Sequence, residues 1–272
     1  MLNNTYFVKL IRSSYIRLYS IFEPIFRLSE TEKEGNFLKS TYFKFLLSPA
    51  VKLPYKLGRS IRGTKFDSSK EIYSKVVMEI LSNKSLDEVT KILYDEYQDF
   101  KHKSVSDVNN FLTSSKITSY PSWLMVLPWD NSEINSLKKN YLLSFYKNRS
   151  ANGMSFTDKK LEHIEERIFS YDTARSHVHQ FKGLIKKIKH QGYIENNSDY
   201  PTAVILIKNN KWRWIMSNSG NHRAHIKKEL TFSCINCKVS GIVNFSKLNR
   251  QKNVVNEIFN EEEAAILFEN VF

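Results

Sequence analysis

Thr202-Ala203-Val204-Ile205-Leu206-Ile207-Lys208, Asn209-Asn210, Lys211-Trp212-Arg213-Trp214-Ile215-Met216, Ser217-Asn218-Ser219-Gly220-Asn221, His222-Arg223: these consecutive residues decide how the chain is read. The first seven are a β-rich, largely apolar run of strand length, expected to be buried. The asparagine pair is a hairpin-turn signal. The next six alternate in polarity and read as the return strand. A small polar turn follows, then a helical stretch from His222 to Leu230 and a further strand from Ser233 to Val243. Upstream, Phe181, Leu184, Ile185 and Ile188 recur at helical spacing with Lys182, Lys186, Lys187 and Lys189 between them, and Gly192 stops that helix. The order is therefore helix, strand, hairpin strand, glycine turn, helix, strand.

The chemistry of the turn follows from that order. A polar turn feeding a helix start offers backbone N–H groups without intrahelical partners, together with the positive end of the helix dipole. Gly220 lets a phosphate approach the backbone closely. Arg223 can fork onto phosphate oxygens. His222 can donate a hydrogen bond, Ser217 and Ser219 supply hydroxyls, and Asn221 lies between glycine and histidine. Such a set suits an oligophosphate.

On these residues the chain resembles the ParB/sulfiredoxin superfamily. The resemblance rests on the helix with Phe181, Leu184, Ile185 and Ile188, the strand and hairpin, and the box Gly220-Asn221-His222-Arg223. It covers about residues 168–245. ParB-type members carry Gly-x-Arg-Arg at this place, and sulfiredoxin carries Gly-Cys-His-Arg. The resemblance implies binding of ATP or CTP with magnesium, in a family that includes kinases of small molecules and nucleotide-driven DNA clamps. Asn221 stands where the sulfiredoxin cysteine would be, which argues against sulfinic acid repair. No helix-turn-helix is evident after the box, which argues against a ParB-type clamp. The resemblance also implies a link to bacterial surface-polysaccharide biosynthesis.

Tyr171 to Gln180 precede the lysine-rich helix, and in the superfamily the corresponding segment contributes to the nucleotide site. Asp172 is a candidate general base or magnesium ligand, His177 a second candidate base, and Arg175 a candidate for neutralising charge on a transferring phosphoryl group. The bland alternative is an Asp172 helix cap with surface histidines. His222-x-x-His225 and Cys234-x-x-Cys237 have zinc-ligand spacing. Residues three apart in a strand point to opposite faces, however, so no metal site is assigned to them.

The remainder of the chain reads as helical. Phe7, Leu10, Ile11, Tyr15, Leu18, Phe22 and Ile25 share one arc of a basic amphipathic helix ending near Pro24. Residues 41–62 repeat the basic, aromatic theme, broken by Pro49 and Pro54. Residues 1–66 are read as an N-terminal extension suited to an anionic membrane surface or to packing on the rest of the protein. Residues 67–167 form a helical region, in which Ser85 and Glu88 have capping-box spacing. The stretch Ser119 to Asp130 departs from this: it reads as an extended, aromatic, proline-bounded segment entering a core, with Trp123 and Trp129 either a platform for a base or sugar or, the preferred reading, a packing pair. Helices are expected over 133–148 and 157–169. The expected fold is α+β: a helical N-terminal half, then a small mixed sheet with helices over 168–272.

A net charge of +13 favours anionic partners. Two cysteines exclude a disulfide framework. No apolar run is long enough to span a bilayer, so the expected location is cytoplasmic, at most peripheral at the inner membrane face. The leading function is an ATP- or CTP-dependent phosphotransferase acting on a glycan or small-molecule hydroxyl. Two other readings stay open: a non-catalytic nucleotide-sensing or nucleic-acid-binding module, and a membrane-associated scaffold.

Overall fold

The computed structural model describes residues 50–66, 71–108, 112, 116–124, 126–130, 168–192, 200–209, 211–217 and 220–272. The amphipathic helix expected over 1–28, the helix over 133–148 and most of that over 157–169 lie outside the described residues, as does Ser219. The architecture is mixed α+β.

The strand of residues 202–208 is the centre of the sheet. It is β3, Thr202–Lys208, and every residue from Ala203 to Ile207 is buried. Asn209, at φ 48°, turns the chain into β4, Lys211–Met216, with Lys208 paired to Lys211. Asparagine tolerates that left-handed conformation, which a two-residue hairpin turn requires. On its other side β3 pairs in parallel with β5, Cys234–Asn244.

The sheet is completed from a part of the chain that was expected to be an extension. Val51–Pro54 forms β1, antiparallel to the start of β5, and Gly58–Arg59 forms β2, parallel to β4. The reading of 41–62 as fragments of a basic amphipathic helix is thus corrected for residues 51–59. The cause is a period-two pattern: Val51, Leu53, Tyr55 and Leu57 are buried, while Lys52 and Lys56 between them are exposed. Leu53 and Leu57 also satisfy helical i, i+4 spacing, which hid the strand.

The strand order β1-β5-β3-β4-β2 puts β1 and β2 at opposite edges. Only Tyr55–Leu57, one 3-10 turn, joins them. The four steps from Pro54 to Gly58 reach at most about 14 Å, whereas the edges of a flat five-strand sheet stand roughly 19 Å apart at the usual strand spacing. The sheet must therefore curl until its edges meet. Trp214 Nε1 donates to the Pro54 carbonyl at 2.8 Å across that closure. A Cβ on Gly58 would stand 2.4 Å from the Trp214 ring, so only glycine lets β2 pass there. Inside the curl pack Leu53, Tyr55, Phe66, Trp212, Trp214 and Ala224.

Helices cover the outside. We label them α1 (Ile72–Leu81), α2 (Leu86–Lys101), α3 (Val105–Val108), α4 (Tyr171–Gln191), α5 (Asn221–Glu229), α6 (Lys252–Val255) and α7 (Glu261–Val271). α2 starts with the expected capping box: Ser85 Oγ accepts from the Glu88 N–H, and Glu88 accepts from the Ser85 N–H at 3.0 Å. α4 begins ten residues before Phe181, so Tyr171–Gln180 is the first half of the helix and not a segment preceding it. The reason is a continuous apolar face, Ala174, Val178, Phe181, Ile185 and Ile188, behind a cap at Ser170. α1, α2 and α4 share one core, into which α5 inserts Ile226. α7 joins two cores: Ala264 and Leu267 enter the helical one, while Phe268 and Val271 meet Val204, Leu206, Ile215 and Val243 of the sheet. Trp123 is buried in the helical core, and Trp129 packs edge-on to Phe268 at 5.8 Å, so the two tryptophans serve different cores. Among the described residues no helix is long and apolar enough to cross a membrane.

Candidate functional site

α5 begins at Gly220, whose φ of 87° and ψ of 7° are left-handed. A Cβ there would stand 2.4 Å from the Pro201 Cβ and 2.8 Å from its Cα. The glycine is therefore required by backbone conformation and by packing, independently of any ligand. Among the described residues no side chain caps the helix start. The Gly220 carbonyl accepts the first helical bond, from the Ala224 N–H, at 2.9 Å. Asn221, His222 and Arg223 occupy the first three helical positions and are half-buried. The Asn221 Oδ1 is shielded from solvent and has no hydrogen-bond partner among the described residues. Ser217 closes the β3–β4 ladder, donating its N–H to the Thr202 carbonyl at 2.8 Å.

His222 turns away from the role of a phosphate ligand. Its ring lies 4.7 Å from Phe181, 4.8 Å from Tyr73 and 5.5 Å from His177, inside a cage of rings from α1 and α4. Burial, and then the charge of Arg223, lower its pKa to about 4, so it is neutral at pH 7 and brings no positive charge to the turn. His177, on the same face of α4 as Phe181, is held by Tyr97, whose hydroxyl lies 2.6 Å from its Nδ1.

Asp172 and Arg175 are exposed. At 3.6 residues per turn they lie roughly 140° and 160° around α4 from His177. The helix geometry therefore does not bring the three candidate catalytic residues together. Ser170 caps α4, its Oγ accepting from the Thr173 N–H at 3.2 Å, so Asp172 is a first-turn acid and not the cap.

Beneath the α5 start lies a set of polar groups that sequence reading did not find. Ser74 Oγ is 3.0 Å from His225 Nδ1, and His225 Nε2 is 3.7 Å from Glu71 Oε2. Glu71 Oε1 accepts from Ser60 Oγ at 2.6 Å and also from Thr64 Oγ1. The Ser–His–Glu order is that of a hydrolytic triad. Accessibility decides against that use: Ser74 is 6% exposed, Glu71 3% and His225 0%. No substrate reaches the hydroxyl, and among the described residues His225 Nε2 has no hydrogen bond. Burial, then His222, then Arg62, lower the His225 pKa to about 3. Burial raises the Glu71 carboxyl above its ordinary range, against the Ser60 hydrogen bond and the Arg62 charge. The set pins α1, α5 and the loop of residues 60–64 together.

Cys237 is buried in the curled core, while Cys234 is half-exposed. Among the described residues no three or more His, Cys, Asp or Glu side chains gather as metal ligands. An open cleft of about 400 Å³ lies elsewhere, between Lys116, Asn249, Glu257, Asn260 and Glu261. No protein-family model matches the chain, and neither a curated protein nor a solved structure is significantly similar to it.

Proposed function

We propose that the chain binds the phosphates of a nucleotide, ATP or CTP with magnesium, at the start of α5. The observation that carries this reading is the left-handed Gly220 entry into α5, where no described side chain caps the helix, with Asn221 and Arg223 in its first turn. Helix N–H groups and the dipole attract the phosphates there, and the Arg223 guanidinium adds charge-assisted hydrogen bonds. The chain's charge of +13 favours the same class of ligand. The order helix, strand, hairpin strand, glycine turn, helix, strand agrees with the ParB/sulfiredoxin resemblance, and we read the small sheet as a domain of that kind.

Binding without chemistry is the form of this function that the geometry favours, because Asp172 and Arg175 lie far around α4 from His177. Phosphoryl transfer to a glycan or small-molecule hydroxyl is the second reading. It rests on His177, oriented by Tyr97 and in ring contact with His222 in the first turn of α5.

The test is calorimetric titration with ATP, CTP and GTP, with and without magnesium, on the wild type and on Arg223→Ala. We expect saturable binding by the wild type and at least about tenfold weaker binding by the variant, the worth of a charge-assisted hydrogen bond. No binding of any nucleotide by the wild type overturns the proposal. Gly220 variants are unsuitable for the test, because the Pro201 contact makes them unfolding variants.

A further inference from the structure

α4 has a second face that neither the core nor the α5 site uses. Arg175, His179, Lys182, Lys186 and Lys189 are all exposed. At 100° per residue they fall within an arc of roughly 80°, and at 1.5 Å per residue they run for about 21 Å along the helix. The one carboxylate in this 21-residue helix is Asp172, at its start.

An ordinary solvated helix face mixes charges of both signs at i, i+3 and i, i+4. Here Lys182 and Lys186 are four apart and Lys186 and Lys189 three apart. Each such like-charge pair costs a helix a few tenths of a kcal/mol. Among the described residues no ion pair or side-chain hydrogen bond offsets that repulsion at any of these five positions. An unrelieved row of cations is complementary to a row of anions.

The surroundings of the stripe distinguish among polyanions. A helix lying in a membrane surface must bury apolar side chains in lipid. The apolar residues of α4, Ala174, Val178, Phe181, Ile185 and Ile188, are already buried in the protein. Single-stranded nucleic acid is held by rows of aromatic platforms, and the stripe offers only the His179 imidazole and, one turn before Arg175, Tyr171, whose ring packs edge-on to Tyr94 at 5.5 Å. What remains is a backbone of closely spaced phosphates with its bases stacked inside. A duplex presents a charge about every 1.7 Å of its axis, so the stripe meets phosphates whatever the sequence. We propose that the Arg175–Lys189 stripe of α4 is a docking surface for the phosphodiester backbone of double-stranded nucleic acid, engaged without regard to sequence. The surface is independent of the α5 site, and its test uses a different ligand and different variants.

The experiment is fluorescence anisotropy of the full chain on an arbitrary duplex of about 20 base pairs, over roughly 50 to 200 mM salt. It compares the wild type with Lys182→Gln/Lys186→Gln/Lys189→Gln and with a control, Lys65→Gln/Lys75→Gln/Lys91→Gln, which removes equal charge from exposed positions elsewhere. Each lost phosphate contact lowers the slope of log affinity against log salt by about 0.9. We expect the stripe variant to lose about 2.7 in slope and at least about tenfold in affinity at low salt, and the control to lose far less. Should the triple variant not fold, the single variants, each expected to lose about 0.9, replace it. Absence of duplex binding by the wild type overturns the proposal. Equal losses in both variants also overturn it, since net charge alone would then explain the binding. So does stripe-dependent binding to phosphatidylserine vesicles with duplex binding unchanged.

Discussion

The two ends of one polar region, the start of α5 and the buried set beneath it, differ in almost every physical respect. Gly220, Asn221 and Arg223 form a half-buried entry at a helix start that no described side chain caps. One turn later His225 is sealed with Ser74 and Glu71 in a geometry that resembles catalytic machinery. The more suggestive distances belong to the less usable site. Side-chain chemistry becomes a functional site only where something can reach it. Inside, the same groups fasten three elements together.

This contrast breaks most readily at Glu71. The Ser60 and Thr64 hydroxyls can still pair with each other at 2.8 Å, so truncation to alanine leaves one of the two donors without its acceptor. An unsatisfied buried donor costs about 1–3 kcal/mol, so Glu71→Ala is expected to lose about 2 kcal/mol in urea unfolding at pH 7. Glu71→Gln keeps an acceptor for both hydroxyls and should lose clearly less. An alanine variant as stable as the wild type would mean that the set does not fasten the loop to α1.

A pH series sharpens the contrast next. The folded-state pKa of His222 is about 4, below the ordinary value of 6.5. A depressed histidine stabilises the fold fully above 6.5, and that stability is lost as pH falls towards 4, because the unfolded chain takes up the proton first. At pH 5 the loss attributable to His222 is about 2 kcal/mol. His222→Phe keeps a ring among Tyr73, Phe181 and His177 and removes the titration. It should match the wild type within about 0.5 kcal/mol at pH 7.5 and exceed it by about 2 kcal/mol at pH 5. If its advantage is the same at both pH values, packing and not protonation explains it. Nucleotide binding should survive the substitution, since the ring faces α1 and α4.

Legibility follows the same division. β3 and β4 have the bounds that their polarity and the asparagine pair suggest, and α5 and β5 come within a residue of theirs. Each is specified by neighbours in sequence. β1 and β2 were missed because their pairing partners lie far along the chain, at Cys234–Cys237 and Trp214–Ile215. Their own alternation, beside two prolines and several lysines, also fits short helical pieces. Around the candidate site, the place of Gly220 and Arg223 at a helix start was legible from the turn, while Asp172 and Arg175 were grouped with His177 only because the start of α4 was placed too late. The Glu71 cluster had no local signal: Ser74 and His225 are 151 positions apart, and no spacing rule connects them.

The smallest expected effect bears most directly on function. Asn221 sits at the first position of α5 with its Oδ1 desolvated and unpartnered among the described residues. Alanine there removes an unsatisfied acceptor and improves helix propensity. Asn221→Ala should therefore raise the unfolding free energy of the free protein by about 0.5 kcal/mol. A residue that costs stability in the free state is explained if a ligand uses it, here the nucleotide's magnesium or a ribose hydroxyl, since Oδ1 accepts and a phosphate offers it no proton. With saturating nucleotide the order should reverse: the wild type should gain more in thermal midpoint than the variant, since ligand stabilisation grows with affinity. A variant more stable both with and without nucleotide would remove Asn221 from the nucleotide site and leave Arg223 and the helix start to carry it.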